Sequence, residues 1–181
     1  SLRVADDLQL RLLDLYQFEA FYEAVQESLD FFAQYLPWAQ DPDYSRDNLR
    51  RFIHKGRRRF AQETGYWCMV LHQGQPVGAI FLDIRDKYSK RAELGYWLVQ
   101  KAMGQGIMTR ANLALCHFGF NTLGLNKIII RADPTNARSW AIAERLGFQL
   151  EGVLRQEAYF QDGVYIDLKR YALLAEDWQK H

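Results

Sequence analysis

The stretch from Tyr96 to Thr109, Tyr-Trp-Leu-Val-Gln-Lys-Ala-Met-Gly-Gln-Gly-Ile-Met-Thr, constrains this chain more than any other. An aromatic and branched run stops at a polar break, two glycines follow with one residue between them, and a helix-period segment begins at once. That order predicts a strand, a tight loop and a helix start. Gly104 and Gly106 lack Cβ, so the backbone there turns sharply and lies directly against a ligand. The first turn of the following helix has amide N–H groups with no intrahelical partner, at the positive end of the helix dipole. Such a loop is built to hold an anion, most often a phosphate.

A glycine pair by itself is weak, because a glycine-rich turn before a core helix looks the same. A dinucleotide fingerprint is a sharper alternative, with Asp133 beyond the apolar run Lys127 to Arg131 in the role of the ribose-binding acid. That pattern wants a third small residue where Thr109 stands, and it usually opens a domain rather than sitting past the middle of the chain.

The remaining features bound the class. At 181 residues the chain is expected to form one domain, 1–181, with a sizeable core. A formal charge of +1 argues against direct nucleic-acid binding, which leaves a strongly basic signature. Cys68 and Cys116 sit inside apolar runs, without disulfide or metal spacing, and are expected to be buried thiols in a reducing cytoplasm. His54, His72, His117 and His181 lack ligand spacing, so no metal is expected. No stretch reaches the roughly 18 apolar residues of a membrane span.

Along the chain, Leu8 to Leu13 alternates as a first strand, and Tyr16 to Phe32 carries an apolar helical stripe that ends before Leu36-Pro37-Trp38. Trp38 reads as a plug for the core ahead of a lid over a pocket. A second helix follows Ser45, with Leu49, Phe52, Ile53 and Phe60 on one face. Its other face carries Arg46, Arg50, Arg51, Lys55, Arg57, Arg58 and Arg59 against Asp47 alone, either a solvated face or a patch that steers an acidic partner. Tyr66 to Leu71 and Pro76 to Leu82 read as a hairpin, and Ala92 to Leu98 as the strand feeding the loop. A helix from Thr109 to Phe120, a buried strand from Lys127 to Ala132 and a helix from Ala137 to Leu146 follow, the last closed by Gly147. Two long strands turning at Gln161-Asp162-Gly163 end the chain. The predicted class is α+β, or mixed α/β, with one sheet and helices on both faces.

Several motifs in the second half resemble one family, the GNAT N-acetyltransferases. Lys101 to Gly106 is similar to their pyrophosphate loop, written Gln/Arg-x-x-Gly-x-Gly/Ala, with Lys101 departing at the first position. Asn136-Ala137-Arg138-Ser139 followed by Glu144-Arg145-Leu146-Gly147-Phe148 resembles the family's Asn-x-x-Ser helix ending in Gly-Phe. Gly95-Tyr96-Trp97, Gly104 to Thr109 and Leu150-Glu151-Gly152 resemble the Rim-type ribosomal-protein N-terminal serine/alanine acetyltransferases. The likeness is specific from about Glu93 to Gly152.

The resemblance implies a single, mixed, mostly antiparallel sheet and acetyl-CoA as co-substrate, with no metal. It implies that the backbone of Trp97 and Leu98 holds the pantetheine arm, that the amides of Gly104, Gln105, Gly106, Ile107, Met108 and Thr109 take the pyrophosphate, and that Asn136 faces the same arm. Ser139 would protonate the departing thiolate. From the residues alone, Asn136 is a helix N-cap and Ser139 a first-turn polar residue. The acceptor implied is a protein N-terminus, with a small amine of the polyamine or aminoglycoside kind as rival, a non-catalytic acetyl-CoA-binding module as a third reading, and a homodimer as an open possibility. Glu93 shares a strand face with Gly95 and Trp97 and is the candidate base. Glu157 is a second candidate, but relatives would place the acid at the position of Ala158.

Overall fold

In the computed structural model, which describes residues 1–179, the chain begins with β1 (Leu2–Ala5), β2 (Leu8–Leu12), α1 (Phe18–Glu27), α2 (Leu29–Phe32) and α3 (Arg46–Ala61). It continues through β3 (Gly65–His72), β4 (Gln75–Asp86), β5 (Arg91–Leu98), α4 (Ile107–His117) and β6 (Lys127–Ala132). It closes with α5 (Ala137–Arg145), β7 (Gln149–Gln161), β8 (Val164–Leu174) and α6 (Ala175–Trp178). The strands form one sheet in the order β1-β2-β3-β4-β5-β6-β8-β7, antiparallel everywhere except between β5 and β6. The mixed, mostly antiparallel architecture expected from the sequence is the one observed.

The two hairpins turn as their glycines require. Gln73 and Gly74 between β3 and β4, and Asp162 and Gly163 between β7 and β8, both adopt left-handed conformations that suit the twist of paired strands. Strand β6 supplies the covered centre, with Ile128, Ile129 and Ile130 all buried.

Strand alternation sorts the core into two layers. Phe21 of α1 stacks on Trp97, and Phe52 of α3 packs on Trp67, Phe81 and Trp97, so α1 and α3 cover one face. Tyr66 and Leu82, of the opposite parity, meet Phe118 and Gly119 just beyond α4 on the other face. Cys68 and Cys116 are free and buried, and loss of water pushes each thiol up to about 12.

Four details differ from the sequence expectation. The added strand β1 pairs Leu2 with Leu10; it is short and largely exposed, so it has no strong apolar signature. The helix expected over 16–32 is broken at Ser28, whose buried hydroxyl accepts the Gln100 N–H at 3.2 Å. The helix expected from Thr109 begins at Ile107 and passes into a π-helical turn, Phe118–Thr122. A short helix α6 follows β8.

Candidate active site

Strands β5 and β6 pair in parallel from Arg91 with Lys127 to Leu94 with Ile130, and the pairing then stops. Beyond that point Gly95 to Leu98 keeps its β4 partners, Phe81 to Gly78, but has no ladder partner on the β6 side. The split opens a cleft whose wall is backbone. Two cavities meet there, of about 830 Å³ toward α4 and about 600 Å³ toward α3, and both are lined by Tyr35, Leu36, Tyr96, Trp97, Asn136 and Ser139.

The larger cavity has the features that favour an anion. Gly104 and Gly106 have φ of +77° and +68°, and a Cβ on either would meet no protein atom within 4 Å. Glycine is therefore kept for conformation and for the open space in front of it. Gly106 is the N-cap of α4, no side chain caps that end, and no acid lies in its first turn. The first amide to close a helical bond is Arg110 N–H, to the Gly106 carbonyl at 3.1 Å, so those of Ile107, Met108 and Thr109 remain for a ligand. Arg138 and Arg145 line the same cavity and form no salt bridge among the described residues. They reach instead to Met103 Sδ at 3.3 Å and Thr109 Oγ1 at 2.9 Å. Left-handed glycines, free helix amides and two unpaired guanidinium groups fit a pyrophosphate.

At the junction, Asn136 and Ser139 open α5. The Asn136 side chain accepts the Ser139 N–H at 3.3 Å, so it caps the helix while also lining both cavities. Tyr96 crosses from β5 and donates its hydroxyl to the Ser139 carbonyl at 2.7 Å. Burial is the main cause that pushes this phenol up to about 12, so it is neutral at physiological pH. Trp97 contributes backbone rather than ring, because its indole is buried among Phe21, Phe32, Trp38 and Phe52. Gln105 is exposed at the loop tip and lines neither cavity.

The smaller cavity has walls from Leu36-Pro37-Trp38, α3 and the β7–β8 ribbon. Trp38 plays both of its expected parts, packing on Phe32 and Trp97 while lining the cavity. The charged side chains that line it are Arg51, Lys55, Arg131 and Asp133.

Glu93 does not line either cavity. Its side chain is 14% exposed, and both oxygens are engaged: Arg131 Nε donates to Oε1 at 2.8 Å and Arg85 Nε to Oε2 at 2.9 Å. Glu157 accepts from the same Arg131, Nη1 to Oε1 at 3.1 Å, while its neighbour Ala158 faces the cavity. The two carboxylates thus hold one guanidinium at the cavity edge, and neither is a free proton acceptor.

The sequence gives no separate role to the side chains of Tyr96, Arg138 and Arg145, and it marks Arg51 and Lys55 only as members of the seven-cation face of α3. A tyrosine in a buried strand needs a partner for its hydroxyl, which was a usable signal. The i,i+4 spacing of Arg51 and Lys55 was another. Nothing local marks Arg138 and Arg145 as unpaired.

Comparison with known proteins agrees with this geometry. The model of the acetyltransferase (GNAT) domain matches residues 7–149. The chain is 31% identical over 177 residues to the putative ribosomal N-acetyltransferase YdaF of Bacillus subtilis, covering 98% of this chain and 96% of that protein. It is 26% identical over 176 residues to the ribosomal-protein-serine acetyltransferase of Escherichia coli, covering 97% of each. The fold superposes on the microcin C7 self immunity acetyltransferase MccE, solved with acetyl-CoA and AMP, with a TM-score of 0.89 at 25% identity over 96% of both chains. Among the described residues no group of three or more His, Cys, Asp or Glu could hold a metal ion, and no helix is long and apolar enough to cross a membrane. The family model spans more than half of the chain and the Bacillus subtilis relative is 31% identical over nearly all of it, so the chain belongs to the GNAT family of acetyltransferases.

Proposed function

We propose that this enzyme transfers the acetyl group of acetyl-CoA directly to the N-terminal α-amine of a protein, a ribosomal protein being the model offered by its relatives. The observation that carries the reading is the acceptor cavity. It joins the cofactor cavity at Tyr96, Trp97, Asn136 and Ser139, and two of the cations that line it, Arg51 and Lys55, form no salt bridge among the described residues, whereas Arg131 is held by Glu93 and Glu157. A polyamine acceptor would bring several positive charges into a cationic cavity, which opposes its entry. Two of the matching relatives, from Bacillus subtilis and Escherichia coli, are named for ribosomal proteins, while another from Escherichia coli is named for spermidine, so the charge of the acceptor cavity is what favours the peptide.

The chemistry asks little of a base. At pH 7 an α-amine of pKa about 7.8 is neutral roughly one time in seven, whereas a lysine near 10.4 costs about 4.6 kcal/mol to deprotonate. The amine nitrogen attacks the thioester carbonyl carbon, the C–S bond breaks, and the nitrogen gives up its proton. Ser139 at the junction donates a proton to the thiolate, and Tyr96 fixes the helical turn that carries Ser139. Amides of the split strand β5 are the available donors to the developing oxyanion. Asp133 is the one lining carboxylate, and water at the open mouth is the other destination for the amine proton. Glu93 and Glu157 serve to orient Arg131. With Cys68 and Cys116 buried as thiols, the reducing cytoplasm is the assigned setting.

The test is a panel of peptides and small amines, including spermidine and an aminoglycoside, incubated with acetyl-CoA while free thiol is followed. Turnover with peptides and not with polycations is expected. Turnover with spermidine alone would replace the reading with the small-molecule one, and an absence of thiol release with every amine offered would leave a binding module.

A further inference from the structure

The cations of the basic helix α3 are not equivalent: three form salt bridges within the fold, two line the acceptor cavity, and Arg57 and Arg58 do neither among the described residues. Arg46 pairs with Glu19 at 2.9 Å, Arg50 with Asp47 at 3.0 Å and Arg59 with Asp83 at 3.4 Å. Arg50 also lies over the Phe18 ring, at 4.9 Å from its centroid. Those cations serve the fold. Arg51 and Lys55 form no salt bridge among the described residues, and both line the acceptor cavity. One helical turn apart, they present two positive charges on one face of α3. Lys55 is further directed by lying over Trp67, at 5.5 Å, another residue of the cavity wall.

The opposite side of the cavity does not neutralise them. Arg131 adds a third cation already shared by Glu93 and Glu157, and Asp133 accepts from the Thr135 amide and hydroxyl and forms no salt bridge with Arg51 or Lys55 among the described residues. Two exposed cations without anions, directed into the space that an acceptor enters, suit a ligand that brings a carboxylate with it.

We propose that Arg51 and Lys55 read a carboxylate carried just behind the reacting amine, so that the preferred acceptor is an N-terminus with Asp or Glu among its first few residues. This rests on the N-terminal reading above and narrows it. The same chemistry could be met by the terminal carboxylate of a very short peptide, so the two sources need separate arms in the test.

The experiment uses five-residue peptides that begin with Ser, have amidated C-termini, and differ at positions 2 and 3: Ala-Ala, Glu-Ala, Ala-Glu and Lys-Ala. Ser-Ala-Ala as the free acid is the short-peptide arm. Values of kcat/KM are measured by thiol release at low salt and at 1 M salt, for the wild type and for the double variants R51Q/K55Q and R51E/K55E. Both side chains are exposed, and thermal melts check that the variants fold. In the wild type the Glu peptides should exceed Ala-Ala by about fivefold, the scale of one exposed ion pair, with Lys-Ala below it. High salt should shrink the difference, R51Q/K55Q should level it, and R51E/K55E should reverse the order. Equal kcat/KM for acidic and neutral peptides in the wild type, or an unchanged ranking in folded R51E/K55E, would overturn the proposal. A preference confined to the free-acid tripeptide would move the recognised carboxylate to the C-terminus and overturn it as stated. Turnover of none of the peptides would instead defeat the N-terminal reading on which it stands.

Discussion

The Tyr96 hydroxyl donates to the Ser139 carbonyl across 2.7 Å, tying β5 to the first turn of α5 at the point where the two cavities meet. The bond links the strand that walls the cleft to the helix that carries the proposed proton donor. Tyr96→Phe removes it and leaves the Ser139 carbonyl without that partner, a loss of about 1–3 kcal/mol where burial is complete. The expected result is a lower melting temperature and a fall in kcat larger than any change in acetyl-CoA affinity. Unchanged kcat in the variant would remove Tyr96 from the positioning of Ser139.

Burial also gives Tyr96 a signature at high pH. Its folded pKa of about 12 lies above the ordinary 10.0, so the folded state keeps the proton after the unfolded state has lost it. The unfolded chain then binds fewer protons, and stability must fall as pH rises from about 10 toward 12. Tyr96→Phe should flatten that part of the stability curve. A fall of the same size in both proteins would assign it to other groups, Tyr44 among them.

Gly106 separates fold from ligand. A Cβ there meets no protein atom within 4 Å, but φ is +68°. Asn tolerates that conformation and Val does not. Both Gly106→Asn and Gly106→Val should weaken acetyl-CoA by about tenfold or more, since each fills the space that the pyrophosphate needs, and only Val should also cost stability. Calorimetry giving native affinity for Gly106→Asn would take this loop out of the site.

Ser139 and Glu93 have opposite expectations. Ser139→Ala should lower kcat on the order of 10²-fold with acetyl-CoA affinity near native, the pattern of a group that acts in the transition state. Glu93→Gln should keep kcat within about threefold for an α-amine acceptor, because a residue whose two oxygens hold arginines is orienting rather than accepting a proton. A kcat loss of about 10²-fold or more for Glu93→Gln would restore it as the base.

Asp7 ties the far edge of the sheet to α4. Arg110 grips it at 2.7 and 2.9 Å, which holds its carboxyl down at about 2, below the ordinary 3.8. A depressed carboxylate contributes stability above its unfolded pKa and loses it as pH falls through the folded one. The melting-temperature gap between wild type and Asp7→Asn should therefore be full above about pH 5 and close between about pH 4 and 2. A gap that persists at pH 2 would rule out this ion pair as its source.

How much of this was legible in the sequence depends on how local each signal is. The strand, glycine loop and helix from Tyr96 onward, the buried β6 and both hairpins follow from neighbours in the chain, and so were readable. The split between β5 and β6 is a property of two strands separated by a helix, and no local pattern records where pairing stops. Glu93 shows the same limit. Its face was inferred from strand alternation, but Arg85 and Arg131 arrive from other strands and occupy it. The basic face of α3 was visible as composition. Its division into paired and unpaired cations required Glu19 and Asp83 from other elements, as well as the position of the cavity.

The central claim is that the acceptor nitrogen is an α-amine, met at the junction of Tyr96, Trp97, Asn136 and Ser139. It is tested most directly by giving the enzyme acetyl-CoA and one peptide that carries both a free N-terminus and an internal lysine, then locating the acetyl group by tandem mass spectrometry. The account predicts acetylation of the N-terminus, with the lysine unmodified and no product when the N-terminus is blocked beforehand. Acetyl found on the lysine, at a rate indifferent to blocking the N-terminus, would contradict it.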